Sequence, residues 1–427
     1  MADPQLLAGR LEHIVGRAGV SEGRGVTVDG PRPMIFVRPS AAEEAASCLA
    51  VCSEVNAAVI PAGLMTWLGG GNRVRRADVV LSTERMNRII EYSPPDLTAT
   101  VQAGVTLEAL NAVARRERQW LPLDAPGGGR VTLGALAACA SSGPLRLMFG
   151  TPRDYVIGLR LAHADGSESR AGGKVVKNVA GYDMCKLYVG SFGTLAVLTE
   201  LTFKLRPLPE CSATVAVTSK EVGALLALSA GVQASELQPA SLFITNVVAE
   251  EAPQTKATDH VLLVRFAEEE AAVKHQVAGL IRLMGNECDA RTLSESEAEQ
   301  IWDRVANIDR LAATAVRMSA PLSSVARLYD DAGTRVAGCV AAADLGTGIV
   351  RIAFEADSKT AIDTIRSLRV KATAAASHLF IERCEAAVRS ATDAWGDVGA
   401  TAGIMQAIKT RFDPRGLLNP GRFVAGI

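Results

Sequence analysis

Histidine is scarce in this chain: His13, His163, His260, His275 and His378 are the only five in 427 residues. That leaves little imidazole for general-base catalysis or metal ligation. No apolar run approaches the roughly 20 residues that span a bilayer, and the opening MADPQLLAGRLEHIVGRAG carries acids and no long apolar stretch. Neither a transmembrane segment nor a signal peptide is expected. An excess of one charge sign is lacking too: Lys+Arg total 45 against Asp+Glu 46, a net charge of -1. The chain as a whole therefore has no electrostatic footprint for nucleic acid or an anionic membrane. Eight cysteines are scattered without a CxxC pair, which excludes a disulfide framework or an iron-sulfur pattern and fits a reducing cytoplasm. Cys48 and Cys52 share a helical face, but no third ligand lies near them in sequence, and no metal site is expected.

Several motifs are missing as well. No GxGxxG or GxxxxGK[ST] opens a helix after a strand, no HExxH occurs, and VGSFG has Val189 where GxSxG needs glycine. Dinucleotide-binding, P-loop, zincin and α/β-hydrolase readings lose their support. His163 and Asp165 could be imagined in a triad, but HADG reads more simply as a hairpin turn.

What is present is a folded chain with 48% hydrophobic and 21% charged residues, long enough for two or three domains. Residues 5 to 17 read as a helix, MIFVRP as a strand, and Ser40 as the cap of a helix to about Asn56, with Glu43 completing a capping box. AAVIPAG, DVVLST, RIIEY and TATVQAG follow as short strands, and Thr106 caps a helix to about Arg116. Residues 119 to 206 are rich in glycine, and RPLPE (206 to 210) reads as a linker. Beyond it strand and helix patterns alternate: HVLLVRF precedes a helix over 268 to 284, AVRMSAP a short helix, GCVAAA and GIVRIAFEA form a hairpin, and HLFIER follows a helix over 358 to 370. A last helix, about 401 to 412, runs into FDPRGLLNPGRF. Many short strands with one helix per few strands predict an α+β fold whose sheets are not simply parallel.

Glycine carries the chemical signal. PAGLMTWLGGGN (61 to 72) is a strand running into a turn where successive N–H groups could hold a diphosphate without Lys or Arg. An irregular hairpin connection would explain that loop equally well if it stood alone. It is joined by PGGGRVTLGALAACASSGP, a small-residue helix between glycine turns against which a flat ligand can lie, and by KNVAGYD…LYVGSFGTLAVLTE.

Together these stretches, with the closing FDPRGLLNPGRF, resemble the vanillyl-alcohol oxidase/PCMH flavoprotein family, and NVAGYD with NPGRF look most like the FAD-binding subunits of bacterial glycolate oxidases. The resemblance covers about residues 30 to 206 and 401 to 424. It implies an N-terminal helix at 1–29, a PCMH-type FAD-binding domain of two α/β subdomains at 30–206, a smaller α+β cap domain with an antiparallel sheet at 211–400, and a tail at 401–427 that returns to the FAD domain. It also implies roles. Pro61, Ala62, Gly63, Leu64, Met65, Thr66 and Trp67 would belong to the diphosphate loop, and Thr132, Gly134, Ser141, Ser142 and Gly143 would lie along the ribityl chain and flavin. Arg146, Arg153 and Asp154 would shape the same wall, Gly190, Gly193 and Val197 would offer backbone, and Asn419 would close the site from the C-terminus. Local pairing of Arg153 with Asp154, and N-capping by Asp183, are the simpler structural readings. Leu64, Met65 and Trp67 stand where the family usually has small polar residues. With no histidine or cysteine in that loop, FAD is expected to be held non-covalently.

Oxidising a 2-hydroxy acid needs a base near the carbinol and cations for the carboxylate. Members that do so carry paired histidines in the second domain, where this chain has His378 alone; Arg317 and Arg351 are the cationic candidates, and each could instead pair with a local acid. The expected function is thus an FAD-binding subunit that supports glycolate oxidation to glyoxylate beside a catalytic flavoprotein subunit and an iron-sulfur subunit, in the cytoplasm or peripheral at the inner membrane through those partners. The alternatives are a self-sufficient FAD oxidoreductase for another 2-hydroxy acid or alcohol, and a flavin-free assembly subunit.

Overall fold

The computed structural model describes residues 3–23, 28, 33–174, 181–219, 221–247, 260–284, 288–336 and 338–427. Residues 177–180 of the KNVAGYD stretch (177–183) lie outside the described residues.

Three large sheets and one two-stranded sheet organise the described residues. The first contains β1 (Val20–Glu22), β2 (Ile35–Val37), β3 (Val59–Ala62) and β4 (Val79–Ser82) in the order β1-β2-β4-β3, parallel except for β1. A parallel neighbour requires a crossover, and the helix Ala42–Glu54 supplies one between β2 and β3. It packs with the helix Pro4–Val15 over Leu7, Leu11, Cys48, Leu49, Cys52, Val79 and Leu81, so both cysteines are core residues. Their thiols are pushed up by that burial, Cys52 to about 12. The expected Ser40–Glu43 capping box does not form. Ser40 donates from N and Oγ to Glu44, at 2.7 and 3.0 Å, while Glu43 is drawn away to Arg160.

The second sheet holds β5 (Ile89–Ser93), β6 (Thr98–Gln102), β8 (Val156–Ala162), β9 (Glu168–Gly172) and β10 (Val197–Lys204), antiparallel in the order β5-β6-β10-β8-β9. HADG makes the β8–β9 hairpin turn, with His163 N–H donating to the Ser167 carbonyl at 2.8 Å. The helices Leu107–Ala114, capped by Thr106, and Leu133–Ala138 cover its inner face. RPLPE is more than a linker: its first two residues form β11 (Arg206–Pro207), which pairs with β7 (Gln119–Trp120).

The third sheet has eight strands: β12 (Cys211–Thr218), β13 (Ser241–Thr245), β14 (Val261–Glu268), β15 (Asp289–Thr292), β16 (Thr314–Ser319), β17 (Val340–Asp344), β18 (Ile349–Phe354) and β19 (His378–Arg383). Every pairing is antiparallel, in the order β15-β12-β14-β13-β17-β18-β16-β19. Helices Val222–Ala234, Glu270–Met284, Leu322–Arg335 and Ser358–Ala374 bury one face. The helix Glu295–Ala306 lies against the other through Ile301, Trp302 and Val305. That helix and β15 carry no clear alternation in the sequence and were not expected; Ser294 and Glu297 build its capping box. The helix after MSAP has 14 residues, longer than its pattern predicts.

The chain ends on the first sheet. Val59 N–H donates to the Leu417 carbonyl and Asn419 N–H to the Val59 carbonyl, at 2.8 and 2.9 Å, extending β3 sideways. Buried Lys409 anchors this return, with Nζ donating to Asp413 at 2.6 Å and to the carbonyls of Thr194 and Leu418 at 2.7 and 2.9 Å. A buried ammonium is tolerated only when its donors are fully used in this way. No helix among the described residues is long and apolar enough to cross a membrane.

Candidate flavin site and the cavity beside it

Where β3 ends, the chain turns under the helix Leu133–Ala138 and leaves a cavity with an empty volume of about 750 Å³. Its walls are mostly backbone and small side chains. Gly63 sits so close to Thr132 that a Cβ would fall 2.1 Å from the Thr132 hydroxyl oxygen. Met65 holds a left-handed φ of 60°, a conformation that keeps the loop folded back on itself at some backbone cost. Gly134, Ala135, Ala138 and Cys139 present a flat small-residue face, and the Phe192–Gly193 turn is held to it by Phe192 N–H donating to the Ala138 carbonyl at 2.8 Å. Asn419 closes the far side, its Nδ2 donating to the Phe192 carbonyl at 2.7 Å while Oδ1 is buried without a hydrogen-bond partner.

These features fit a flavin dinucleotide. A flat apolar slot suits an isoalloxazine ring, glycine-rich backbone suits a diphosphate, and Asn419 Oδ1 is an acceptor left for a ligand donor.

Of the residues expected here, Pro61, Ala62, Gly63, Met65, Thr66, Trp67, Gly134, Gly193, Val197 and Asn419 line the cavity, and Thr132 lies directly beneath Gly63. Leu64 does not: it points outward and is 41% exposed, so of the three larger residues in the loop only Met65 and Trp67 face the cavity. Gly190 supports the wall from behind, its N–H donating to the Ala137 carbonyl. Arg153 and Asp154 lie off both this cavity and its neighbour, and neither expected reading of them holds. Asp154 closes a capping box with Thr151 at 2.8 and 2.9 Å, and the Arg153 carbonyl accepts from Lys186. Asp183 accepts from Cys185 N–H at 3.1 Å, one residue before the helix cap itself, Met184.

A second cavity opens from the first across Thr66, Trp67, Gly70, Cys139 and Phe192, with an empty volume of about 1350 Å³. Ser141 stands at this opening, whereas Ser142, Gly143 and Arg146 line a small pocket deeper in, with Asp344 and Arg351. The third sheet provides the far wall. Arg317 on β16 and Glu382 on β19 meet there, 3.8 Å apart, with the Arg317 guanidinium 5.3 Å from the centre of the Phe380 ring. Arg351 reaches the same carboxylate from β18 at 3.3 Å and donates to the carbonyls of Ala306 and Ser142, both at 3.3 Å. Both arginines therefore pair with an acid, and Arg317 also faces the cavity. Asp309, on the turn Ile308–Arg310, lines the same wall. Burial and then the neighbouring Glu382 hold its carboxyl above the usual range, against the pull of Arg351 and Arg310. His378 contributes to neither cavity: it is exposed at the start of β19, beside Gly396.

Sequence reasoning overlooked Asp309 and Glu382. Glu382 sits in the very stretch, SHLFIER, that was read for its histidine. Strand alternation placed it on the face opposite Ile381, which was a usable signal; Asp309 offered none.

Comparison with known proteins assigns the class. Residues 33–172 match the model of the FAD binding domain, and residues 393–423 match that of the FAD linked oxidase C-terminal domain. The fold is of PCMH type: p-cresol methylhydroxylase with substrate bound superposes with a TM-score of 0.75, covering 98% of this chain and 96% of that one at 14% identity. An alkyldihydroxyacetonephosphate synthase does so with a TM-score of 0.76, covering 99% and 86% at 15% identity. Likenesses so remote in sequence speak for fold alone. The chain is an FAD-binding protein, with FAD as its cofactor. Among curated relatives, glycolate oxidase subunit GlcD of Bacillus subtilis (strain 168) is 37% identical over 211 residues, covering 49% of this chain and 45% of that protein. Glycolate oxidase subunit GlcE of Escherichia coli (strain K12) is 42% identical over 125 residues, covering 29% and 36%. The chain spans less than half the length of these two relatives.

Proposed function

We propose that this chain is an FAD-dependent oxidoreductase acting on small 2-hydroxy acids, and that it serves as the FAD-binding subunit of a glycolate oxidase-type complex, beside a catalytic flavoprotein subunit and an iron-sulfur subunit. The observation that carries the reading is the pair of joined cavities, one apolar and backbone-lined, the other charged. Bound FAD would supply a two-electron acceptor at their junction. Gly63, Thr66 and the helix Leu133–Ala138 would hold it non-covalently, since the loop offers no histidine or cysteine to attach it. Arg317 is suited to the substrate carboxylate: a guanidinium fixed by stacking and by an acid at 3.8 Å is pre-oriented for an anion. Names of the relatives support glycolate as the acid and a multi-subunit setting.

A second reading, that this chain oxidises the acid at its own flavin, is favoured by Asp309, a carboxylate on the cavity wall where imidazole is missing. Anaerobic mixing of the FAD-loaded chain with glycolate and a panel of 2-hydroxy acids separates the two. Bleaching of the flavin absorbance by the isolated chain is the expected outcome of the second reading, and a flavin that stays oxidised until the partner subunits are added is that of the first. A flavin that no 2-hydroxy acid bleaches, with partners or without, would sink both.

A further inference from the structure

The cavity wall holds more acceptors than its ion pairs use. Among the described residues Glu382 Oε2 and Asp309 Oδ1 are both buried without a hydrogen-bond partner. A purely structural arginine–carboxylate pair satisfies both carboxylate oxygens, commonly in a two-pronged contact, and leaving an acceptor unpaired in the interior costs free energy. Here Arg351 spends its two terminal nitrogens on the Ala306 and Ser142 carbonyls, and Arg317 stays 3.8 Å from the acid. The carboxylates are thus held near cations and not consumed by them. The charged groups around them are Arg310 on the same turn, Arg351 on β18, Arg317 on β16, Arg383 on β19, and Arg389, whose Nη1 donates to the Gly71 carbonyl at 2.7 Å. From the flavin side the wall brings Thr66, Trp67, Cys139, Ser141 and Phe192, with the Cys139 thiol pushed up to about 12 by burial and hence uncharged.

We propose that Asp309 takes the hydroxyl proton of the 2-hydroxy acid, with Glu382 as the positioning residue that orients Arg317. This rests on the second reading above, that the acid meets this chain's own flavin. In the step, the substrate O–H bond breaks and its proton passes to the Asp309 carboxylate. With FAD bound, the flavin would be the two-electron oxidant that takes the Cα hydrogen together with its bonding electron pair, leaving the carbinol as a carbonyl. Atoms and electrons balance without a further reagent. Desolvation favours the assignment, because a carboxylate held above its ordinary proton affinity is the better base near neutrality.

The test uses the full chain loaded with FAD, in wild-type, Asp309→Asn, Asp309→Glu and Glu382→Gln forms. Two readouts are taken: the rate of anaerobic flavin bleaching by glycolate and other 2-hydroxy acids from pH 5 to 9, and calorimetric binding of 2-hydroxyisobutyrate, which has the hydroxyl and carboxylate but no Cα hydrogen to lose. In the wild type the rate falls as pH drops through the Asp309 pKa. Asp309→Asn is expected to bind 2-hydroxyisobutyrate within about threefold of wild type and to bleach at least a hundredfold more slowly, with that acidic limb gone. Glu382→Gln is expected to weaken 2-hydroxyisobutyrate binding and to keep the limb. If Asp309→Asn does not take up flavin, Asp309→Glu decides: a displaced acidic limb supports the assignment and an unmoved one overturns it. Unchanged bleaching in Asp309→Asn overturns the role of Asp309 while leaving the function standing. A wild-type flavin that no acid bleaches, or a wild type that does not bind 2-hydroxyisobutyrate, overturns the underlying reading and the inference with it.

Discussion

The two joined cavities are built by opposite means. The candidate flavin cavity is lined largely by glycine, alanine and other small residues, Gly63, Gly134 and Gly193 among them, with apolar Trp67 and Phe192 and the left-handed Met65 completing its shape. The neighbouring cavity is made of long side chains, Arg317, Glu382, Asp309 and Arg389, brought from separate strands and turns. A site built largely of small residues recognises what a ligand family shares, a flat ring and a diphosphate, and tolerates variation around it. A side-chain-built site recognises one charge pattern, and a single substitution can redefine it.

The sharpest way to break the contrast is at Gly63. A side chain there collides with Thr132, so Gly63→Val is expected to abolish flavin uptake while the chain remains folded, read as flavin absorbance of the purified protein together with its circular dichroism. Removing Thr132 as well, in Gly63→Val/Thr132→Gly, should restore part of the uptake; no recovery would mean that the close approach does not set the cavity. Next in size is Lys409→Met, which leaves buried Asp413 without its cation. Removing one partner of a buried pair costs about 3–5 kcal/mol, and the expected readout is proteolytic release of the C-terminal tail with loss of flavin.

Asp124 tests the wall between the sheets. Burial pushes its carboxyl to about 6, opposed by the Leu145 N–H, Arg265 and the Gly143 N–H. A folded pKa above the unfolded value means that the native state keeps its proton longer, so stability is greatest at low pH and falls as pH rises from about 4 to about 6. Asp344 carries the same sign, also near 6. Asp124→Asn should flatten part of that slope, on the order of 2 kcal/mol, measured by denaturant unfolding across the window; an unaltered slope would remove Asp124 as its source. Arg317→Ala is expected to leave flavin content intact and weaken 2-hydroxy acid binding by about tenfold to a hundredfold, the range for a lost charged hydrogen bond. Loss of flavin in that variant would erase the division between the cavities. Smallest is Leu64→Ala: an outward, exposed residue should change stability by less than about 0.5 kcal/mol and flavin uptake not at all.

How far the sequence could be read follows the same division. PAGLMTWLGGGN announced a tight turn after a strand because glycine spacing is a local, backbone-level signal, and Thr106 announced its helix because a cap needs only its own first turn. Ser40 misled because the competing partner of Glu43, Arg160, is 117 residues away. His378 drew attention by residue type alone and turned out exposed, while Glu382, four residues on, carries the contacts.

The scarcity of histidine was therefore a true statement about composition and an incomplete one about chemistry. Sequence by itself determined the α+β class, since strand and helix patterns rest on local backbone preference and hydrophobic periodicity, whereas the glycine loop as a cofactor loop and the tail as a returning segment came only from the family resemblance. Only the tertiary structure decided that Asp309, Arg317 and Glu382 share one wall beside the candidate flavin cavity, with Arg351 reaching Glu382 from behind it. Antiparallel pairing of β16 with β18 and β19 brings Arg317, Arg351 and Glu382 together, the turn Ile308–Arg310 adds Asp309, and the strength of charges placed together depends on burial and separation, which no local pattern encodes.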